Sequence, residues 1–400
     1  TIAEEDGYNA EQEAEQLLLK ALKIRESKLG QTHPQVAESC SDLGDLYFAK
    51  SDLGRAEQFY QRSLELRQKA LGAEHPAVAR SLFKLASLHR ARGDFARAEP
   101  LYQKSLQQRE KLLGGQHPDV AESLIGLGAT LVGTGRTEAA LPVLTRALSI
   151  SEVILRSIGG SANEARVDAF LRTLRAQEEI TYSLLTEKLS SEAVMALVAT
   201  TALLRKGRSV DEAADTSHAL YQGLGPEDQQ KLASLREART RRADLALAGA
   251  GVYPPDVYQK LLKDLQDEEE RLQAELVKNS AGLRLKLQTV STGQILADVQ
   301  KAMPADGALL ELVAYHQFNF RPSTQRPQVG PGPLRYAGIV LTADGKPQSF
   351  DLGPGQTIDQ TVSHLLSSMT DPTAEWEESA KALDQLVLMP LRPAMGKKTR

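Results

Sequence analysis

Three of the seven histidines in this 400-residue chain stand in near-copies of one phrase. His33 lies in "LGQTHPQVA" at 29–37, His75 in "LGAEHPAVA" at 71–79 and His117 in "LGGQHPDVA" at 113–121. Imidazoles in a shared motif are candidates for metal ligation or proton transfer. The single cysteine, Cys40, is a candidate nucleophile. A thiol attacks as the thiolate, so that role needs a neighbouring base or cation to activate it.

The spacing sets a different expectation. His33, His75 and His117 are 42 residues apart, and then 42 again. A fixed period of this size marks a repeat architecture. The register extends beyond the turn: Ala14, Ala56, Ala98 and Ala140 are in phase, as are Leu22, Leu64, Leu106 and Leu148, and Leu43, Leu85 and Leu127. Gly44, Ala86 and Gly128 mark a recurring small position, and Leu18, Tyr60, Tyr102 and Leu144 a recurring bulky one. Each unit reads as two amphipathic helices, with bulky residues filling the groove opposite small ones. Gly30, Gly72 and Gly114 suit a left-handed helix end. Pro34, Pro76 and Pro118 suit the first turn of the next helix. On this reading the histidines are turn punctuation in separate repeats, and no metal or cofactor is expected. Cys40 shares a face with Val36, Leu43 and Tyr47, and its counterparts one and two repeats later are Leu82 and Leu124. It therefore reads as a small core hydrophobe.

Composition fits a mainly helical chain of more than one domain. A net charge of −4 gives no field that favours nucleic acid or an acidic membrane. The longest apolar run, "VMALVATTALL" at 194–204, is too short to span a bilayer. One cysteine gives no sign of an oxidising compartment. No secretory signal opens the sequence, so a cytoplasmic location is expected. The chain starts at Thr1 and ends in "GKKTR", which reads as an excerpt from something longer.

The repeated units resemble tetratricopeptide repeats in the 42-residue form of kinesin light chains. "HPQVAESCSDLGDLYFAKSDLGRAEQFYQRSLELRQKALG" and "HPAVARSLFKLASLHRARGDFARAEPLYQKSLQQREKLLG" are two full units, and the resemblance covers residues 8–158. It implies a right-handed α-solenoid whose concave face binds a peptide or another protein surface. The first helix of each repeat would line that face with Glu38, Ser41, Asp45 and Phe48; Arg80, Phe83, Ser87 and Arg90; and Glu122, Ile125, Ala129 and Val132. The partner-binding candidates are Glu38, Asp45, Phe48, Arg80, Phe83, Ser87, Arg90 and Ile125. Two readings of the apolar members stand: an open groove for a partner, or a surface covered by other parts of the same chain.

From residue 159 to 305 the period is lost and helix persists. Residues 163–189 and 190–208 read as long helices. Residues 225–249 and 256–280 read as an antiparallel hairpin separated by "GVYPP", with Leu261, Leu265, Leu272 and Leu276 on one face of the second helix. The basic cluster Arg236, Arg239, Arg241 and Arg242 opposes "DEEE" at 267–270, so it reads as a solvated face and not a nucleic-acid site. From 306 to 400 the pattern becomes α/β. "ALLELVAYHQF" has the length of a strand and the apolar continuity of one buried on both faces. "RYAGIVLTADGKPQSFDLG" reads as a hairpin turning at Asp344-Gly345. A Pro/Gly-rich loop lies between them, and helices follow near 356–369 and 373–396.

The order of "LLRKGRSVDEAAD", "YQKLLKDLQDEEERLQAEL", "GALLELVAYHQFNF", "RYAGIVLTADGKPQSFDLGP" and "LDQLVLMPLRPAMG" resembles bacterial CHAT proteins over residues 165–400. That resemblance implies a partial caspase-like domain that continues beyond this chain and a cysteine peptidase with a His–Cys dyad. His316 follows the first strand and His364 lies on a helix, but neither is followed by a cysteine. No catalytic residue transfers, and the chain alone is expected to be inactive. Two functions are open: the regulatory portion of a caspase-like protease, controlled by a protein partner in the repeat groove, or a non-catalytic adaptor. The family also implies, for some members, attachment to RNA-guided effector complexes.

Overall fold

The computed structural model describes residues 2–157, 164–187, 191–206, 224–251, 253–279, 293–323, 328–370 and 376–396. The chain divides into two compact units. The first comprises Thr1–Val143, Gly249–Leu261 and Phe320–Val329; the second comprises Leu144–Ala248, Leu262–Asn319 and Gly330–Arg400.

The first unit is built on α1 (Ile2–Leu29), α2 (Pro34–Ala49), α3 (Leu53–Leu71), α4 (Pro76–Ala91), α5 (Phe95–Leu113), α6 (Pro118–Gly133) and the start of α7 (Thr137–Ser157). The phrase repeated in the sequence lies between α1 and α2, α3 and α4, and α5 and α6. Gly30, Gly72 and Gly114 take φ of 84°, 82° and 88°, a region that L side chains enter at a cost and glycine does not. The proline opens each following helix. Asp52 and Asp94, again 42 residues apart, cap α3 and α5 by accepting from the amides of Arg55 and Arg97. The in-phase positions form one core: Leu22, Val36, Cys40, Leu43, Tyr47, Ala56, Tyr60, Leu64, Leu82 and Leu85 all belong to it.

The second unit holds the rest of α7, α8 (Glu164–Ser183) with a 3-10 turn at Leu184–Glu187, α9 (Glu192–Lys206), α10 (Pro226–Ala248), the main part of α11 (Pro255–Asn279) and α12 (Ile295–Ala302). Leu232 and Leu235 of α10 pack with Leu272 and Leu276 of α11, and Arg242 donates to Glu269 at 2.6 Å. The two helices thus form the antiparallel hairpin with opposed charges. Arg205 pairs with both Glu152 and Glu178, and the Glu152 side chain is only 2% exposed.

The same unit carries β1 (Ala308–Asn319), β2 (Gly330–Thr342) and β3 (Gln348–Pro354) in an antiparallel sheet of order β1-β2-β3. The β2–β3 hairpin turns through Asp344-Gly345. One face meets α8: the Tyr182 and Tyr315 rings lie 5.8 Å apart, and the Phe318 amide donates to Ser183 Oγ at 2.6 Å. On the other face Leu391 sits against Gly338. α13 (Gly355–Thr370), α14 (Trp376–Val387) and α15 (Arg392–Met395) complete the unit.

Three expectations change here. The apolar run of β1 is an outer strand, and Leu312 on it is 45% exposed; continuous apolarity does not separate a doubly covered strand from an edge strand. β2 begins at Gly330, so "GPGP" belongs to the strand and not to the loop; prolines are tolerated at the end of a strand. The helix expected over 373–396 is two helices, because Pro390 supplies no amide and its ring disfavours helix at the residue before it. Residues 207–215 of "LLRKGRSVDEAAD" lie outside the described residues, as do 324–327 of the Pro/Gly-rich loop. No described helix is long and apolar enough to cross a membrane.

Candidate interaction face

The three histidines of the repeated phrase are helix caps. His33, His75 and His117 precede the proline at the start of α2, α4 and α6. The Nδ1 of each accepts from the backbone amide two residues on: Gln35 at 3.2 Å, Ala77 at 3.1 Å and Asp119 at 3.0 Å. An imidazole accepts at Nδ1 only when that nitrogen is unprotonated. Burial, with Arg67 nearby, holds His75 below the usual histidine value and favours that state. Among the described residues no group of three His, Cys, Asp or Glu side chains is placed to hold a metal ion.

A second periodic device fixes each of these helix starts. Arg25, Arg67 and Arg109 are 42 residues apart near the ends of α1, α3 and α5. Each guanidinium donates to the carbonyl of the residue after the proline and to a serine one turn later. Arg25 Nη1 reaches Gln35 O at 3.0 Å and Ser39 Oγ at 2.9 Å. Arg67 Nη1 reaches Ala77 O at 3.3 Å and Ser81 Oγ at 2.8 Å. Arg109 Nη1 reaches Asp119 O at 2.6 Å and Ser123 Oγ at 2.8 Å. A further carboxylate, Glu122, meets Arg109 Nη1 at 3.0 Å. Sequence reasoning missed this ladder because it followed the apolar, small and turn positions and not the charged ones. The in-phase Arg25/Arg67/Arg109 and Ser39/Ser81/Ser123 were the available signal.

The expected partner-binding residues fall into three environments. Phe83, Ser87 and Arg90 of α4 converge on Tyr102 of α5. Phe83 meets its ring edge-on at 5.6 Å, Ser87 Oγ lies 3.0 Å from its hydroxyl, and Arg90 Nε donates to that hydroxyl at 3.1 Å. The Arg109 guanidinium lies 4.6 Å from the Phe83 ring centroid, a cation–π distance. Asp45 is exposed; it accepts from Tyr60 Oη at 2.7 Å and Lys84 Nζ at 2.5 Å. Glu38 is exposed and pairs with Arg25 at 3.4 Å, and Arg80 is exposed. Phe48 is half-buried against the core, and Ile125 is buried, as is Val132.

Two distant chain segments pack within this unit, and neither was foreseen. Tyr258, in the first turn of α11, is fully buried; its ring lies 6.2 Å from that of His117, and Gln259 Nε2 donates to Lys111 O. The second is Phe320–Val329. Arg321 donates from Nε to Gly133 O at 3.0 Å and from Nη2 to Val132 O at 2.9 Å. The Val329 amide donates to Ala91 O at 2.9 Å. Both segments lie outside the repeats, so the repeat period carried no trace of them.

Cys40 is fully buried in the core. Burial pushes its thiol above the usual range, which is the opposite of what a nucleophile requires.

The profile of the tetratricopeptide repeat family matches residues 11–69, 43–111 and 78–152. Those residues are tetratricopeptide repeats. Comparison with curated proteins returns no match. Among solved structures, a point variant of the nearly identical TPR-like repeats of a putative kinesin light chain from Podosopora anserina is 19% identical, with a TM-score of 0.38 over 50% of this chain and 88% of that one. Another structure of those repeats is 19% identical, with a TM-score of 0.36 over 49% and 88%. BtubC (BKLC) from P. vanneervenii is 14% identical, with a TM-score of 0.39 over 67% and 92%. The assignment of the array rests on the family match and on the 42-residue period.

Proposed function

We propose that the chain is a protein-interaction scaffold in which the first helices of the tetratricopeptide repeats receive a protein or peptide partner. The observation that supports this most is the convergence of Phe83, Ser87 and Arg90 on Tyr102 in the middle of the array. It sets an aromatic ring and a guanidinium side by side, half-buried, and these are the groups that dominate binding hot spots. Phe83→Ala with Arg90→Glu should weaken partner capture while far-ultraviolet circular dichroism stays unchanged. Equal affinity of the double variant and the parent for a captured partner would exclude this face.

A finer reading joins the array to the resemblance of residues 165–400 to CHAT proteins. The chain is then the regulatory portion of a caspase-like protease, with residues 1–158 sensing a partner and residues 306–400 continuing into the protease-like domain. What supports it in the second unit is an apolar cavity of about 400 Å³ lined by Leu312, Tyr336, Leu352, Ile358, Leu365 and Leu383, among others. Leu366, Met369 and Trp376 are exposed nearby in sequence, and apolar surface of this kind calls for a cover. The chain by itself carries no peptidase activity on this reading, since its one thiol is the core residue Cys40. Hydrolysis by the purified chain that disappears in Cys40→Ser would overturn that.

A further inference from the structure

We propose that the exposed face of α1 is a dimer interface, taken by α1 of a second copy of this chain running antiparallel about a twofold axis between Lys20 and Ala21. None of the candidate recognition residues lies on α1. The interface is therefore separate from the face proposed above for a partner, and stands or falls without it.

Leu18 and Leu22 of α1 are in phase with Tyr60 and Leu64 of α3, and all four pack in the core. Two other positions of α1 part from their counterparts. Leu17 is in phase with Phe59 and Leu101, and Ile24 with Leu66. Phe59 and Leu101 pack against the core, and Phe59 stacks on Tyr47 of α2 at 5.5 Å. Leu66 is 8% exposed. Leu17 and Ile24, by contrast, are 59% and 51% exposed. The seat that is filled on α3 is open on α1. A separation of seven residues is close to two helical turns, so Leu17 and Ile24 lie on one stripe. Large aliphatic side chains exposed side by side mark a surface for association.

The charges around that stripe say what covers it. The same face carries Glu13, Lys20 and Lys28, all exposed, and the half-buried Ala21. In chain order it is Glu13, Leu17, Lys20, Ala21, Ile24 and Lys28. These positions are symmetrical about the point between Lys20 and Ala21: Glu13 and Lys28 lie equally far from it, and so do Leu17 and Ile24. A second α1 laid antiparallel about that point sets Leu17 against Ile24 of the second copy, and Glu13 against its Lys28. The twofold axis makes each pair twice, as a self-complementary patch requires. Apolar contacts then fill the middle of the seam, and an acid meets a base at both ends, which sets the orientation of paired helices. A parallel pairing would set Glu13 against Glu13 and Lys28 against Lys28. Lys20 stands opposite the small Ala21, with room for its stem to run along the seam and its ammonium to reach water. The face runs about 22 Å along the helix, which makes a small interface and a weak, reversible dimer.

Sedimentation equilibrium of the full chain, from low to high micromolar concentration, tests this. The chain should pass reversibly from monomer to dimer. Leu17→Glu should raise the dissociation constant by about tenfold or more, and Ile24→Lys should do the same. Both side chains are exposed, so the circular dichroism of each variant should match the parent. A charge swap reads the register. Glu13→Lys and Lys28→Glu should each weaken the dimer severalfold, because each sets like charges against one another. Glu13→Lys combined with Lys28→Glu restores both pairs and should recover the parent affinity. A chain that stays monomeric throughout overturns the proposal and leaves the face to a helix from elsewhere. A dimer that Leu17→Glu leaves intact overturns it too, and so does a charge swap no tighter than its single variants. None of these outcomes bears on the capture of a partner through Phe83 and Arg90.

Discussion

In the repeat array almost every buried position has a counterpart 42 residues away; the three-stranded sheet of the second unit is written only once. Leu43 and Leu85 share one core, Arg67 and Arg109 make the same pair of bonds, and Asp52 and Asp94 cap in the same way. The sheet-bearing unit is held by contacts that occur once: Tyr182 on Tyr315, Ser183 on the Phe318 amide, and Arg205 between two glutamates. It also leaves Leu312 at 45% and Trp376 at 51% exposure. The array distributes its stability over equivalent sites, as stacked repeats do, whereas the sheet depends on particular neighbours and on whatever covers its apolar side.

That contrast is sharpest at two large side chains. Tyr102 is fully buried, and its ring lies where a Cβ on Gly126 would be, 2.3 Å away. Tyr102→Ala should destabilise the array by about 3–5 kcal/mol, the cost of emptying a large aromatic site. Leu312→Ser, on the outer strand, should cost under about 1 kcal/mol. Urea unfolding followed by circular dichroism checks both, and equal losses would remove the contrast.

Within the array the arginine ladder offers a finer comparison. The Arg109 side chain is 2% exposed and that of Arg25 is 34% exposed, although both make the same bonds. Arg109→Ala leaves Ser123 and the Asp119 carbonyl without their donor in a dry site and should cost about 2–3 kcal/mol. Arg25→Ala, where water replaces the donor, should cost under about 1 kcal/mol. Similar values for the two would mean that periodicity, and not burial, sets the energy.

The array was legible in the sequence because one helical unit written repeatedly supplies its own register. His33, His75 and His117 read as punctuation, and they are caps; Cys40 reads as core by its Leu82 and Leu124 counterparts, and it is buried. The sheet order was only half legible. The Asp344-Gly345 turn marked the β2–β3 hairpin, but nothing local marks β1 as an outer strand. Ile125 and Val132 were expected on the recognition face, either open to a partner or covered by the chain, and they are buried. The arrival of Tyr258 and Phe320–Val329 in this unit depends on contacts between residues far apart in the chain, which no window of sequence displays.

The smallest expected effect is that of pH on the caps. The pKa of His75 is depressed by burial and by Arg67, so the unfolded chain binds its proton more readily than the folded one. The stabilisation is present above the unfolded value of about 6.5 and is lost as pH falls through it toward the lower folded value. The melting temperature should therefore fall between pH 7 and pH 5. His75→Asn, which caps without titrating, should flatten that slope. An unchanged slope would show that the His75 cap does not couple to the proton.

The account's central claim is that Arg321 and Val329, far along the chain from the repeats, donate to carbonyls one repeat apart in the array, and the amide of Val329 reports on it directly. Its hydrogen bond to Ala91 O is 2.9 Å long. Site-resolved hydrogen exchange on the full chain should show this amide protected. Arg321→Ala should lower that protection while the amides of Leu85 and Leu127, inside α4 and α6, keep theirs. A Val329 amide that exchanges at the rate of an unstructured peptide in the parent chain would contradict the claim.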